Sequence, residues 1–366
     1  MKNLIISIIV ISILFSSRIM AQESKLIEVA SFGKNQPIGV TVSAKTNRLF
    51  VSFPKRESYL YGLTEIVNGQ RKPFPDIEWN KVDTIDIKNH FVNVQDLYAD
   101  DKNFLWVLDS KPAGGVSIFG GDQTQKKNGQ FKLVQINLTN NKVVNVYHFE
   151  DLAKDKSALN DVVVDHDKQL AYLSDPGLSA IVVLDLKTGK SRVVLLQDKS
   201  TVADPNFILH LDDLDVTDDS GKPFSSNVNG IALTKRNEYF YFRAINQTKL
   251  YRIKTQFLAD AKLSETEISQ AVEVVAETGV CHGMIADHKG NIYLSSSPDY
   301  SIKYVNPDGK LHTLVTDRRL SWPDSFGIGN DGYLYLSCSQ INRQAKYNNG
   351  KDRTDYPYRI YKVKLP

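Results

Sequence analysis

The sequence predicts an all-β fold, a six-bladed β-propeller forming one domain over residues 22–366. Three observations predict it. A hairpin pattern recurs six times: a short apolar strand, a turn of Asp, Asn, Lys or Gly, then an aromatic-rich strand. The composition holds 16 Phe and 17 Tyr against 3 Met and 2 Cys, the aromatic bias of strands. The chain also ends one strand short of a sixth blade, and residues 25–32 supply the missing strand.

The six hairpins follow in order. The first comprises 38–42 and 49–51 around a turn at 45–47, and the second 96–99 and 105–108 around 101–103. The third comprises 161–164 and 171–173 around 166–168, and the fourth 230–233 and 239–242 around 235–237. The fifth comprises 283–286 and 292–294 around 288–290, and the sixth 326–329 and 333–336 around 330–332. Counted from Gly39, Asp96, Asp161, Gly230, Gly283 and Phe326, the copies are 57, 65, 69, 53 and 43 residues apart, the length of a four-stranded blade. Third strands are expected at 180–186, 249–253, 302–305 and 359–363. Residues 57–81 read as a long loop in blade one, and 207–224 as an insertion made acidic by Asp212, Asp213, Asp215, Asp218 and Asp219. Helix is expected only at 262–271. Residues 25–32 join the last blade and close the ring, which removes open sheet edges.

Residues 1–21 read as a cleavable signal peptide: Lys2, an apolar run from Leu4 to Phe15, then Ala21 at the cut. The run is too short for a membrane span. The expected product is therefore secreted or periplasmic, with no membrane span after cleavage. The net charge of +3 gives no argument for nucleic acid. A monomer with a small-molecule ligand is expected. Cys281 and Cys338 are the only cysteines; buried free thiols are expected, with a disulfide as the alternative.

Propeller topology proposes where a ligand sits. Inner strands begin on one face and second strands end there, so the residues at those positions converge on one mouth. The leading positions are Gln36, Gln95, Asn160, Asn229, His282 and Asp324 with Ser325. The trailing positions are Lys55, Asp109, Asp175, Arg243, Asp299 and Gln340. From these, Asn160, Asn229, His282, Asp324, Arg243, Asp109 and Asp299, with Phe326 offering a ring face, are the expected ligand-binding residues. The competing reading is that Asn and Asp here cap strands. At the opposite end, His166 and His288 read as solvated turn residues. His90, His148, His210 and His312 lack metal spacing. Gly114-Gly115 and Gly120-Gly121 lack the context of a phosphate loop. Asn137-Leu138-Thr139 and Asn246-Gln247-Thr248 fit the glycosylation pattern.

Several stretches carry a family likeness: Gln95-Asp96 ahead of Leu105-Trp106-Val107-Leu108-Asp109, then Ala171-Tyr172-Leu173-Ser174-Asp175, Asn229-Gly230-Ile231-Ala232-Leu233, and Trp322-Pro323-Asp324-Ser325-Phe326-Gly327. Together they resemble the major royal jelly protein/yellow family over about residues 30–345, and the short leader resembles that of a bacterial member. This resemblance implies a propeller with a ligand site in its channel mouth, and a small amine or aromatic ligand. The cysteine that insect members carry in the copy-two turn is absent from Asp100-Asp101-Lys102-Asn103, so their disulfide pattern does not transfer. The chain is also similar to the senescence-marker/gluconolactonase lactonases, which implies a single divalent ion, Ca²⁺ or Zn²⁺, on Asn160, Asn229 and His282. That family's Glu and second acidic ligand are replaced by Gln36-Pro37 and His282, a poor donor set for Ca²⁺; one His is thin support for Zn²⁺.

Two functions follow as expectations. The first is an exported binder of a small ligand, with carboxylates and an aromatic face suited to a cation. The second is a metal-dependent lactonase-type hydrolase with His282 or Asp175 as its base. A tautomerase using His282 as proton shuttle is a lesser alternative.

Overall fold

A computed structural model describes residues 26–55, 59–81, 88–110, 132–234 and 236–366. The leader, its cleavage site and the two Gly-Gly pairs lie outside the described residues. Six four-stranded antiparallel sheets are each ordered from the channel outward. The six inner strands are Val40–Val42, Val94–Ala99, Val162–Asp165, Val228–Leu233, Met284–Ala286 and Pro323–Ile328. Each contacts the next around a complete ring, the sixth returning to the first.

Closure occurs as the sequence predicts. Ile27–Ser31 pairs antiparallel with Arg359–Lys364, as Ile27 with Lys362 and Ser31 with Arg359, and becomes the outer strand of blade six. The predicted third strands appear at Ala180–Asp185, Lys249–Lys254, Ser301–Val305 and Arg359–Lys364. The helical expectation resolves into Thr255–Ala259 and Glu265–Gln270, the latter opened by a capping box between Ser264 and Glu267. No helix among the described residues is long and apolar enough to cross a membrane.

The loop expected at 57–81 is corrected. Leu63–Val67 and Gln70–Pro73 form the outer hairpin of blade one, turning at Asn68 and Gly69, both at positive φ. The strand is polar because it lies at the rim of the ring, and Pro73 is tolerated on an outermost edge that donates no ladder hydrogen bond.

The core is a set of clusters wedged between adjacent blades. One joins blades three and four through Tyr172, Ile181, Phe240 and Phe242, with Leu258 and Ile268 of the two helices packed beneath. Where inner strands converge, side chains must vanish. A Cβ on Gly283 would overlap the backbone oxygen of Asp324, and one on Gly230 the backbone oxygen of His282. Four blades repeat a buried hook at the same seam. The hydroxyls of Ser52, Ser174, Ser295 and Ser337 accept from the backbone N–H of Gly39, Asp161, Gly283 and Ser325. These hooks fix where each inner strand enters the channel.

Candidate functional site

A cavity of about 540 Å³ runs along the central axis. Its floor is made by Gln95 and Asp96, Asn160 and Asp161, Asn229, and Asp324. Its walls are apolar, with Val162, Val163, Ile231, Met284 and Ile285 among them. Its rim is the ring of hairpin turns, where Asp101, His288, Lys289, Asn330 and Lys364 are exposed. The cavity therefore opens at the turn end, opposite to the predicted mouth.

The predicted mouth is covered. The 207–224 insertion, with its small hairpin of His210–Leu211 and Leu214–Asp215, lies against the leading ends of the inner strands. Leu209, Leu211, Val216 and Phe224 of the insertion pack with Ile38, Val280, Trp322 and Ile341 in one buried cluster. Phe224 meets Trp322 edge-on with ring centres 5.3 Å apart. Gln36, Gln95, Asn160, Asn229 and His282 are each 6% exposed or less.

Among the predicted ligand-binding residues, Asn160, Asn229, Asp324 and Phe326 line the channel. Asn160 holds its neighbours in place: its Oδ1 accepts from Gln95 Nε2 at 3.3 Å and its Nδ2 donates to Asp161 at 2.7 Å. Asn229 Nδ2 is buried with no hydrogen-bond partner among the described residues. Phe326 borders the channel while packing in the core with Tyr293 and Leu336.

The other predicted site residues lie away from the channel. His282 does not line the cavity; it is fully buried, and its ring stacks on Trp322 at 4.0 Å. Burial, reinforced by the Arg243 cation, pushes it down to about 3, so it is neutral and a poor base. Asp175 is a loop clamp, accepting from Ser157 Oγ at 2.5 Å, Ala158 N and Leu178 N. Asp109 pairs with buried Lys132 at 2.5 Å and accepts from the backbone N–H of Val92 and Asn93. Arg243 is fully buried and donates to Ala244 O, Gln247 O and Thr278 Oγ1. Asp299 pairs with Lys303 on an outer loop. Asp109, Asp175, Arg243 and Asp299 serve the scaffold because the trailing ends of the second strands lie away from the axis, and His282 is turned from the channel by its stacking on Trp322.

The ion expected on Asn160, Asn229 and His282 does not fit, since His282 faces Trp322 and not the two amides. Nor does any group of three His, Cys, Asp or Glu among the described residues stand arranged to hold a metal ion. Cys281 and Cys338 are buried free thiols. Asn246 is fully buried, donating to Phe207 O and Phe224 O, so its sequon is closed to glycosylation.

Two sets of residues were missed in the sequence. The first is the pair Asp96 and Asp161, which join Asp324 on the floor. Burial pushes Asp96 up to about 7, although Val162 N donates to it. Asp161 is held well above the ordinary carboxylate range by burial, then by Asp96 and Asp324. The second is His166. It lines the channel, and its Nε2 lies 2.5 Å from Asp100 Oδ2. Asp100 also accepts from Trp106 Nε1 at 2.6 Å and from the backbone N–H of Lys102 and Phe104. That hydrogen bond to Asp100 raises His166. The solvated-turn reading of His166 is thus corrected, whereas His288 is exposed at the rim.

The sequence profile described as "Major royal jelly protein" matches residues 92–366, most of the chain: four whole blades and the three C-terminal strands of the sixth. The chain belongs to the major royal jelly protein family. Solved structures share this member's fold at low identity. A gluconolactonase from Xanthomonas campestris has 11% identity and a TM-score of 0.54, over 94% of this chain and 90% of that one. A luciferin-regenerating enzyme has 12% identity and a TM-score of 0.53, over 93% and 95%. A streptogramin B lyase has 14% identity and a TM-score of 0.52, over 94% and 98%. Comparison with curated protein sequences finds no match. These structural likenesses establish the propeller and leave chemistry to the family member's own residues.

Proposed function

We propose that this royal-jelly-type propeller is an exported binding protein whose channel takes a small organic cation, an amine, from its turn end. One observation carries the reading: three carboxylates, Asp96, Asp161 and Asp324, converge on the floor of the channel, and the Lys residues among its described lining, Lys289 and Lys364, stand at the far rim. Like charges crowded in a buried site disfavour one another's ionisation, and an ammonium relieves that repulsion while its N–H groups satisfy several carboxylate oxygens at once. The apolar walls suit an amine with a hydrocarbon or aromatic body. Export rests on the leader at 1–21; protein recovered from culture is expected to begin at Gln22 on N-terminal sequencing, and retention of Met1 overturns that part.

Isothermal titration calorimetry with n-alkylamines and arylethylamines at pH 8 tests the binding reading. Saturable one-site binding is expected, weakened about 100-fold in Asp161→Asn, the effect of removing a buried charge partner. Equal affinity of wild type and variant would sink it. The lactonase reading loses its support here, since neither His282 nor Asp175 reaches the channel.

A further inference from the structure

The channel is polarised along its length. Every Lys and His in its lining sits at the turn end: His166, His288, Lys289 and Lys364. The acids at that end are already engaged. Asp100 is shared by His166, Trp106 and two backbone N–H groups. Asp287 accepts from Lys289 N, Asn291 N and Tyr293 OH, and Asp101 faces Lys102 at 4.0 Å. His166 is held on its Nε2 side and wedged between Phe104 and Trp106, with ring centres 6.1 and 5.9 Å away. No hydrogen bond among the described residues occupies its Nδ1. An imidazole fixed by a carboxylate on one nitrogen presents the other in a defined direction.

We propose that the channel's ligand is bipolar, with an ammonium on the Asp96, Asp161 and Asp324 floor and a carboxylate received at the rim by His166. This rests on the cation reading above and adds a second anchor. Asp161 and His166 flank the inner strand Val162–Asp165, five residues apart, so floor and rim are separated by about 16 Å of near-extended chain. A ligand spanning that interval has its two charges joined by an apolar body lying against Val162, Val163 and Ile231. Lys364 stands beside the rim as a second cation with an exposed side chain. His166 is here a specificity-determining residue: it selects among amines by their far end.

The test compares ω-amino acids of six to twelve carbons with n-alkylamines of equal length, by calorimetry at pH 7. At the matching length the amino acid is expected to bind at least tenfold tighter. His166→Gln is expected to bring that ratio to near one. Lys364→Gln, on the exposed rim, is expected to narrow it about threefold and so decides the matter if His166→Gln does not fold. Amino acids that bind no tighter than alkylamines at any length, while alkylamines bind, overturn the bipolar ligand and leave the cation reading standing. Absence of binding by both series overturns both.

Discussion

At pH 8, Asp161→Asn is expected to be more stable than the wild type, because the buried carboxyl must either keep a proton that the unfolded chain has released or stand ionised beside two others. The sign follows from proton bookkeeping. The folded carboxyl has a pKa raised above its unfolded value, so the native state holds its proton to higher pH than the unfolded chain does. Its contribution is favourable or neutral in acid and becomes a cost as pH rises above the ordinary carboxylate range. The variant removes the charge and keeps the contact that positions it, because its amide oxygen still accepts from Asn160 Nδ2. Urea titrations at pH 8 and pH 4.5 check this: the gain is present at the first and absent at the second. A variant destabilised at both would show that Asp161 serves the scaffold, as Asp109 and Asp175 do. A site that costs stability in the empty protein and governs amine affinity is the signature of a binding group.

How much of this was legible in the sequence follows from strand geometry. The six hairpins, the closing strand and the third strands repeat a pattern that local propensity and turn chemistry both express. The outer hairpin of blade one was hidden because an outermost strand buries little, and Gln70–Pro73 carries no apolar period. The side of the molecule on which the channel opens was not legible. The 207–224 insertion reads as an acidic loop, while its scattered Leu209, Leu211, Val216 and Phe224 are what seal the leading ends of the inner strands. Asp96 and Asp161 escaped for a different reason. Alternation assigns consecutive residues to opposite faces of a strand, and Gln95 and Asn160 already held the channel side. Register shifts at 94–96, 228–231 and 323–326 break that alternation where the inner strands begin. A bulge there lets neighbours reach the same space, so both members of Gln95-Asp96 line the floor; Asn160 and Asp161 both line it from just ahead of Val162, where the paired strand begins. The pairing of an amide with an Asp just before an inner strand was the available signal. His166 was misread because its partner, Asp100, lies 66 residues away on the next blade.

Amine affinity is expected to fall about tenfold between pH 7.5 and pH 6, the loss when a binding carboxylate with a pKa near 7 must first give up its proton. The groups that titrate in the channel act in one direction. Asp96, pushed up to about 7 by burial, gains a proton as the medium acidifies, and burial with the charges of Asp96 and Asp324 shifts Asp161 in the same direction. At the rim, His166 gains its charge already above its ordinary range because of Asp100, which adds a repulsive cation to the path of an incoming amine. An ammonium that seats on the floor must therefore expel a proton that the carboxylates share. Binding at pH 7 is expected to release about half a proton to one proton per site, read as the dependence of the calorimetric enthalpy on buffer ionisation heat. Asp96→Asn is expected to flatten the pH profile and reduce the released protons. A pH-independent affinity with no proton release would place the ligand away from the floor. On the proposed reading, uptake is favoured above pH 7 and release below pH 6, so the groups that would seat the cation would also set the conditions under which it leaves.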